Sequence, residues 1–470
     1  MLPSLQDFKD VIEFLLTRHR YDLVREFALT AAPHLPSTQA QDRFCSANLV
    51  AEALFKSKYF DEAVVWAERA CKADPQNALA AHQLCMCLIS ALREAEAEPI
   101  LRSLAQSFPE QVFLNSDLSI ALFYQGKFDE AQAILEKTLA SLPEDHPHRA
   151  VVRFNLHWHW MRSGRFKDSL RAFLSTETKF ANLGKPELKP NDDIRGKKVL
   201  VLHHDGGAGD EVVNVRFVKY LADRGAKVIW RTHHRLENIF SRVEGMHQVV
   251  SRAKYQDPNL LDFDFWISAG SLIQFFDIDL PELSREPYLF ADSKHLASWS
   301  QKIPARGKLR VGLRWQGTMT TDTEMHRSVP FAEYRKLFDL PNTEFYSLQR
   351  DTGLEEILPT DPVVDLSADL KTWEDTAAAL TCLDLVITNC TSIAHLSGAL
   401  GKKTWLYTPL GCFYVWALPG EKAYWYKDVR LFRQSRRRDW APVTQAVRMA
   451  LENSLRRSEG TINISTPSSL

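Results

Sequence analysis

Two short loops in the second half of this chain hold residues suited to group transfer. The first, Asp205-Gly206-Gly207-Ala208-Gly209-Asp210, follows an apolar run and opens a helical stretch. Gly206, Gly207 and Gly209 let the backbone come close to a ligand, and the helix behind them offers its N–H groups. Asp210 sits at the same edge. Its carboxylate does not hold a phosphate, but it can take a proton from an acceptor hydroxyl. It can also cap the helix, and the two roles are compatible. The second loop, Thr388-Asn389-Cys390-Thr391-Ser392, ends another apolar run and opens another helix. The free N–H groups of that helix start, with the hydroxyls of Thr391 and Ser392, form a cradle for a diphosphate. His395 follows Thr391 by one helical turn, where it can donate a hydrogen bond to phosphate or simply pack.

The flanking pattern says what must position these loops. Lys197 to His204 is a short apolar run that reads as a buried parallel strand. The glycine loop and a helical stretch (EVVNVRFVKYLADRG) come next, then KVIWRTHH as a second strand, RLENIFSRV as a helix, and QVVSR and FDFWISAG as further strands. A strand, glycine loop, helix and strand begin a doubly wound sheet, which binds ligands at the carboxyl ends of its strands. A second block of this kind starts at Leu309 to Thr318 (LRVGLRWQGT) and continues through TEFYSLQ, VVDLS and TWEDTAAALTCL to DLVITNCTSIAHLSGALGKKTWLYTP. The expected fold class is therefore mixed: an α-helical part followed by two Rossmann-like α/β lobes.

Two histidine pairs, His203-His204 and His233-His234, end the first two strands. Adjacent strands bring both pairs to one edge, but neighbours on a strand point to opposite faces, so only some of the four converge. They read as plain strand-end histidines or as lining for an acceptor site. A metal site is conceivable there, but none is expected, nor any cofactor beyond a nucleotide-sugar substrate.

The first 180 residues are a repeat array. Pro75, Pro109 and Pro143 recur every 34 residues, and Phe60-Asp61-Glu62-Ala63 returns as Phe128-Asp129-Glu130-Ala131 after two such periods. Ala63, Ala67 and Ala70 are small at helical spacing, so a paired helix can approach closely, and each proline stops a helix. One helical hairpin cannot bury its own apolar face, so the copies must stack into a solenoid with a concave surface suited to a partner chain. The stretch His157-Trp158-His159-Trp160 reads as packing and surface aromatics. A linker, 181–196, is rich in glycine and proline. The lobes are expected over 197–300 and 301–455, with a disordered tail over 456–470.

Composition narrows the class. The 470 residues are 45% hydrophobic and 25% charged, with 58 Lys plus Arg against 59 Asp plus Glu. Such balance lacks the field of a nucleic-acid binder. The run Arg436-Arg437-Arg438 reads as a solvated face or a local anion contact. The seven cysteines have no framework spacing and read as reduced thiols. No signal peptide or membrane span is evident, so a cytoplasmic location is expected.

The helical period, with Gly126 to Ala131 as its motif, resembles tetratricopeptide repeats. From about Val199 to Trp440 the chain resembles the catalytic part of bacterial tetratricopeptide-repeat glycosyltransferases, which are similar to heptosyltransferase-like GT-B enzymes. The matching pieces are Gly209-Asp210, Gly312 to Gly317, Arg327-Ser328 before Val329-Pro330, Ser347-Leu348-Gln349, Asp375 to Ala378, Ala394-His395-Leu396 through Gly401, Arg430 to Gln434, and Asp439-Trp440. The architecture also resembles protein O-linked N-acetylglucosamine transferases. The resemblance implies a GT-B fold, a nucleotide-sugar donor, and Asp210 as catalytic base. It implies Arg327 as the cation that meets the donor diphosphate and Thr391, Ser392 and His395 as its helix start. It implies Gln316 and Gln349 on the nucleotide side and Cys390 at a donor-sugar position where many relatives carry Asp. Arg327 and His395 would stabilise the leaving diphosphate without a metal. The acceptor implied is a protein held by the repeats. A glycan or lipid acceptor, or a degenerate scaffold, are the alternatives.

Overall fold

In the computed structural model the residues described are 4–174, 183–203, 206–317, 324–350, 352–412 and 414–462. His204, Asp205 and Thr318 lie outside them. The chain divides into two compact units, Met1–His159 and Trp160–Leu470.

Helical hairpins build the first unit. Its elements are α1 (Leu5–Thr17), α2 (Tyr21–Ala31), α3 (Ala40–Lys56), α4 (Phe60–Ala73), α5 (Ala78–Ser90), α6 (Glu94–Ser107), α7 (Val112–Tyr124) and α8 (Phe128–Ser141), with α9 (Arg149–Arg162) across the unit boundary. The period is visible in the backbone itself. Lys58, Leu92 and Gly126 each take a left-handed φ (69°, 65° and 78°) in the turn between the two helices of a hairpin. That conformation ends the first helix and reverses the chain, and only the last of the three uses glycine for it. Ala63, Ala67 and Ala131 are fully buried in the shared core with Val50, Leu54, Leu101 and Leu122, as close helix approach requires. His157 and His159 are buried, and the His159 ring packs edge-on to Phe123 at 5.2 Å.

The repeat region was expected to reach residue 180, but the unit boundary comes earlier. In the second unit, α10 (Phe166–Leu174) sets Phe166 edge-on to Trp425 at 6.1 Å, and Lys167 pairs with Asp277 at 2.8 Å. These contacts tie the end of the helical region to the α/β body.

That body contains two all-parallel sheets. The first orders β1 (Lys198–Leu202), β2 (Lys227–Thr232), β3 (Met246–Ser251) and β4 (Phe265–Ser268) as β3-β2-β1-β4. Parallel strands covered on both faces read as continuous apolar runs, and Val199 to Leu202 are fully buried. The linker is not loose along its described part. Leu188 N donates to Trp266 O, Trp266 N to Pro186 O and Trp266 Nε1 to Lys185 O, so the segment covers the open edge of β4.

The second sheet contains β5 (Leu309–Arg314), β6 (Thr343–Ser347), β7 (Val363–Asp365), β8 (Leu385–Asn389), β9 (Thr404–Thr408) and β10 (Val429–Arg433), ordered β10-β9-β8-β5-β6-β7. The order in which strands are added changes side between β5 and β8, as it does between β1 and β4 in the first sheet. Crevices at such switch points, outside the carboxyl ends of the strands, are where doubly wound sheets take ligands. The loops after β1 and β8 both open there.

Helices α11 (Ala208–Asn214), α12 (Phe217–Asp223), α13 (Glu237–Phe240), α14 (Leu272–Phe275) and α15 (Ser293–Lys302) accompany the first sheet. The second is accompanied by α16 (Glu324–Arg327), α17 (Phe331–Arg335), α18 (Trp373–Cys382), α19 (Ser392–Ala399) and α20 (Ala441–Ile462). The tail expected to be disordered from residue 456 is helical as far as Ile462. Val443, Val447 and Leu451 bury one face of α20 in the lobe core, and the helix runs on beyond that anchor. No helix among the described residues is long and apolar enough to cross a membrane.

Candidate active site

The first lobe presents Asp210 in the opening turn of α11. Its Oδ2 accepts the Gly207 N–H at 2.8 Å, so the carboxyl does hold the helix start. Gly206 is required by space. A Cβ there would meet His203 Cε1 at 2.7 Å and Asp210 Oδ2 at 2.8 Å, which also shows how closely the histidine and the carboxyl approach. Gly207 is less constrained, with its nearest neighbour 3.7 Å from a built Cβ. Burial pushes the Asp210 carboxyl above the ordinary carboxylate range, and the adjacent Glu211 adds to this. His203, His234 and the Gly207 N–H oppose the shift without cancelling it. A carboxylate raised in this way is a stronger base.

Glu211, the next residue, was not singled out by its sequence context, yet it organises this edge. It is fully buried. Its carboxylate accepts His234 Nδ1–H at 2.6 Å, the His233 backbone N–H at 3.0 Å and Trp230 Nε1–H at 3.3 Å. Burial alone would raise its pKa, but the His234 bond foremost, then the His203 charge and the Thr232 and His233 bonds, hold it below the usual value. An acidic pair after a glycine loop was the available signal. The pattern could not say that one carboxylate turns inward to fix the end of β2.

The second lobe presents Thr391 and Ser392 at the start of α19. Thr391 stands at the capping position in extended conformation, but its hydroxyl makes no cap bond, and its buried Oγ1 has no partner among the described residues. Asn389 is also fully buried. Its Nδ2 donates to the Arg327 carbonyl at 3.2 Å, while Oδ1 has no partner among the described residues. Asn389 thus ties the Arg327 segment to the start of α19. Buried polar atoms are nearly always satisfied, so these two, open among the described residues, make the start of α19 a candidate ligand position. Cys390 is buried between them in sequence.

Two expectations change. His395 was to supply positive charge to a leaving diphosphate. It is buried, stacked on Trp416 at 4.9 Å, and hydrogen-bonded through Nδ1 to Tyr426 Oη at 3.2 Å. Burial, helped by the nearby Arg216 and Arg327 charges, lowers its pKa to about 3. The ring is neutral at ordinary pH, and any bond it gives a ligand is uncharged. Gln349 was to line the nucleotide side. It is fully buried, and its amide takes the N–H groups of Trp315 and Gln316 and donates to the carbonyls of Gln316 and Thr352. A side chain so fully used shapes the loop after β5 and has little left for a ligand. Gln316, half-buried in that loop, has its Oε1 2.7 Å from where a Gly353 Cβ would be.

The two helix starts meet. A Cβ on Gly209 would lie 2.8 Å from His395 Cδ2 and 3.4 Å from Ser392 Cα. Further contacts between the lobes hold this meeting in place. Tyr288 N and Leu289 N donate to Ala399 O at 3.0 and 3.2 Å, and Arg242 grips the buried Glu374 through two bonds of 2.8 and 2.9 Å. Gly209→Ala should therefore push α11 off α19. We expect a loss of about 1–3 kcal/mol, as for other overpacked sites, with a fall in any activity at the shared edge. A denaturant midpoint measurement checks the first and a turnover assay the second.

No protein-family model matches this chain. No curated protein matches it either. Among solved structures, it is similar to a family 9 glycosyl transferase from Veillonella parvula: TM-score 0.42 and 10% identity over 52% of this chain and 88% of that one. It is similar to ADP-heptose LPS heptosyltransferase II of E. coli, with TM-score 0.42 and 10% identity over 56% of this chain and 99% of that one. It is also similar to a putative kinesin light chain with TPR-like repeats from Podosopora anserina, with TM-score 0.33 and 15% identity over 36% of this chain and 92% of that one. By its own topology, the chain joins an array of helical hairpins to two parallel α/β lobes.

Proposed function

We propose that this protein moves a sugar from a nucleotide-sugar donor to a hydroxyl, with Asp210 as base and the start of α19 as the diphosphate cradle. The observation that carries the reading is the meeting of the two helix starts. Gly209, next to the high-pKa carboxyl of one lobe, packs on the helix start of the other, where two buried polar atoms have no partner among the described residues. In the reaction, the acceptor oxygen bonds to the anomeric carbon while that carbon's bond to the phosphate oxygen breaks. The acceptor proton passes to Asp210, and the nucleoside diphosphate leaves with the bonding pair. Thr391 Oγ1–H, the first N–H groups of α19 and the Arg327 guanidinium meet the charge on the departing diphosphate, without a metal ion. Asn389 Oδ1 is an acceptor and suits a hydroxyl of the donor sugar.

The helical hairpins would present the acceptor, a protein, in the cytoplasm. Incubation with UDP-, GDP-, ADP- and CMP-sugars, with and without cell extract, tests the reading. We expect nucleotide release from one donor class, stimulated by extract, and mass spectrometry should find the added sugar on protein. If no donor is bound or consumed, the reading fails. If the label appears only on glycan or lipid, the choice of acceptor is wrong.

A further inference from the structure

The edge of the first lobe carries a second demand for a ligand, apart from the base. His233 follows β2. The exposed Arg252 guanidinium lies 2.8 Å from His233 Nδ1. An arginine has no lone pair to offer, so it donates and the imidazole nitrogen accepts. The ring's own proton then sits on Nε2, and that atom is buried with no partner among the described residues. Next to it, edge-on at 6.0 Å, stands His203, 6% exposed, whose Nδ1 is also buried and has no partner among the described residues. His203 is the ring that approaches the Asp210 carboxyl across Gly206. His233 and His234 are fixed from behind by other groups. Glu211 takes the His233 backbone N–H and the His234 ring, and Arg252 takes His233 Nδ1.

Resting on the sugar-transfer reading, we infer that His233 is an acceptor-positioning residue. Its Nε2–H donates to a second oxygen of the acceptor, next to the hydroxyl that Asp210 activates, and Arg252 enforces the tautomer that makes this possible. The recognised chemistry is a pair of neighbouring oxygens, one losing a proton to Asp210 and the other receiving a hydrogen bond from His233. A buried donor that finds no partner among the described residues is completed by a ligand oxygen. A metal would be bound differently, because an imidazole nitrogen that carries a proton has no lone pair to give.

The lock has a pH signature. Among the described residues, the charged and titratable groups facing His233 are Arg252, Glu211, His203, Arg231 and His234. Burial and the Arg252 charge hold its pKa down to about 4, so the ring is neutral at working pH. In Arg252→Met the ring is free to carry its proton on Nδ1 instead, which removes the donor. Acidification restores it, because the imidazolium carries protons on both nitrogens.

The experiment uses the full chain, the nucleotide sugar it consumes, and clarified cell extract as acceptor source. His233→Leu should raise the amount of extract needed for half-maximal transfer roughly tenfold, in line with the loss of one hydrogen bond. The half-saturating donor concentration should stay within about twofold, and His233→Gln, which keeps an N–H at that reach, should recover part of the loss. Arg252 is exposed, so Arg252→Met does not disturb the core. Burial still holds the His233 ring below its ordinary pKa in that variant, so its transfer rate relative to the unaltered chain should rise as pH falls from 7 to 5. The inference is overturned if His233→Leu leaves the extract dependence unchanged, if donor and acceptor saturation shift together, or if the Arg252→Met ratio is flat with pH. If the unaltered chain consumes no nucleotide sugar, it is the sugar-transfer reading that has failed.

Discussion

Asp210→Asn should abolish nearly all sugar transfer while leaving the protein at least as stable as before. Removing a general base typically costs about 10²–10⁴-fold in rate. The stability half of this expectation follows from the raised pKa. The fold favours the protonated carboxyl, so the stability it contributes is fully present below the ordinary carboxylate pKa. It is lost as pH rises through the raised folded value. Above that value the unaltered protein holds a charge in a site poor in water, and the asparagine variant does not. The amide oxygen can still accept the Gly207 N–H, so the helix start is kept. Melting temperatures at pH 8 should be equal or higher for the variant, with the difference shrinking toward pH 4. A variant that loses activity and melts lower at both pH values would mark Asp210 as a structural cap only.

The largest stability effect is expected at Arg216. This guanidinium is buried, and no carboxylate pairs with it among the described residues. It donates to the Val213 and Trp425 carbonyls at 2.8 Å and to Tyr288 Oη at 3.0 Å. Its cation lies over the rings of Tyr288, Tyr426 and Trp425 at 4.7, 4.8 and 5.3 Å. Val213 belongs to the first lobe and Trp425 to the second, so one side chain joins both through polar bonds and aromatic faces. Arg216→Ala leaves two buried carbonyls without donors and removes the cation from its aromatic faces. Each unsatisfied group costs about 1–3 kcal/mol, so a total near 3 kcal/mol or more is expected, with an early melting transition of the second unit. Activity should fall as well, because Tyr426 also holds His395 against Gly209. An unchanged melt would contradict the role of Arg216 as the rivet between the lobes.

The strands were legible because buried parallel strands are written as apolar runs, and all four runs read in the first lobe are strands. The repeats were legible because Pro75, Pro109 and Pro143 and the alanines of α4 keep a fixed period. The unit boundary was not legible, because Phe166 has the same local setting as the earlier repeat phenylalanines and only its contact with Trp425 distinguishes it. At the site, Asp210, Thr391 and Ser392 stand out because glycines and hydroxyls bracket helix starts. Gln349 and His395 carried the right chemistry, but burial withdrew one and neutralised the other. Glu211, Asn389, Arg216 and Arg252 were missed because their roles come from partners 19 to 209 positions away in the chain, beyond the reach of any local pattern.

The most direct measurement is a crystal structure of the protein with the nucleoside diphosphate of whichever donor it binds. The account predicts the phosphates on the first N–H groups of α19, within hydrogen-bond distance of Thr391 Oγ1 and beside Arg327, with Asp210 facing them from the other lobe. A nucleotide seated elsewhere, or a start of α19 that stays closed to it while it binds, would contradict the account.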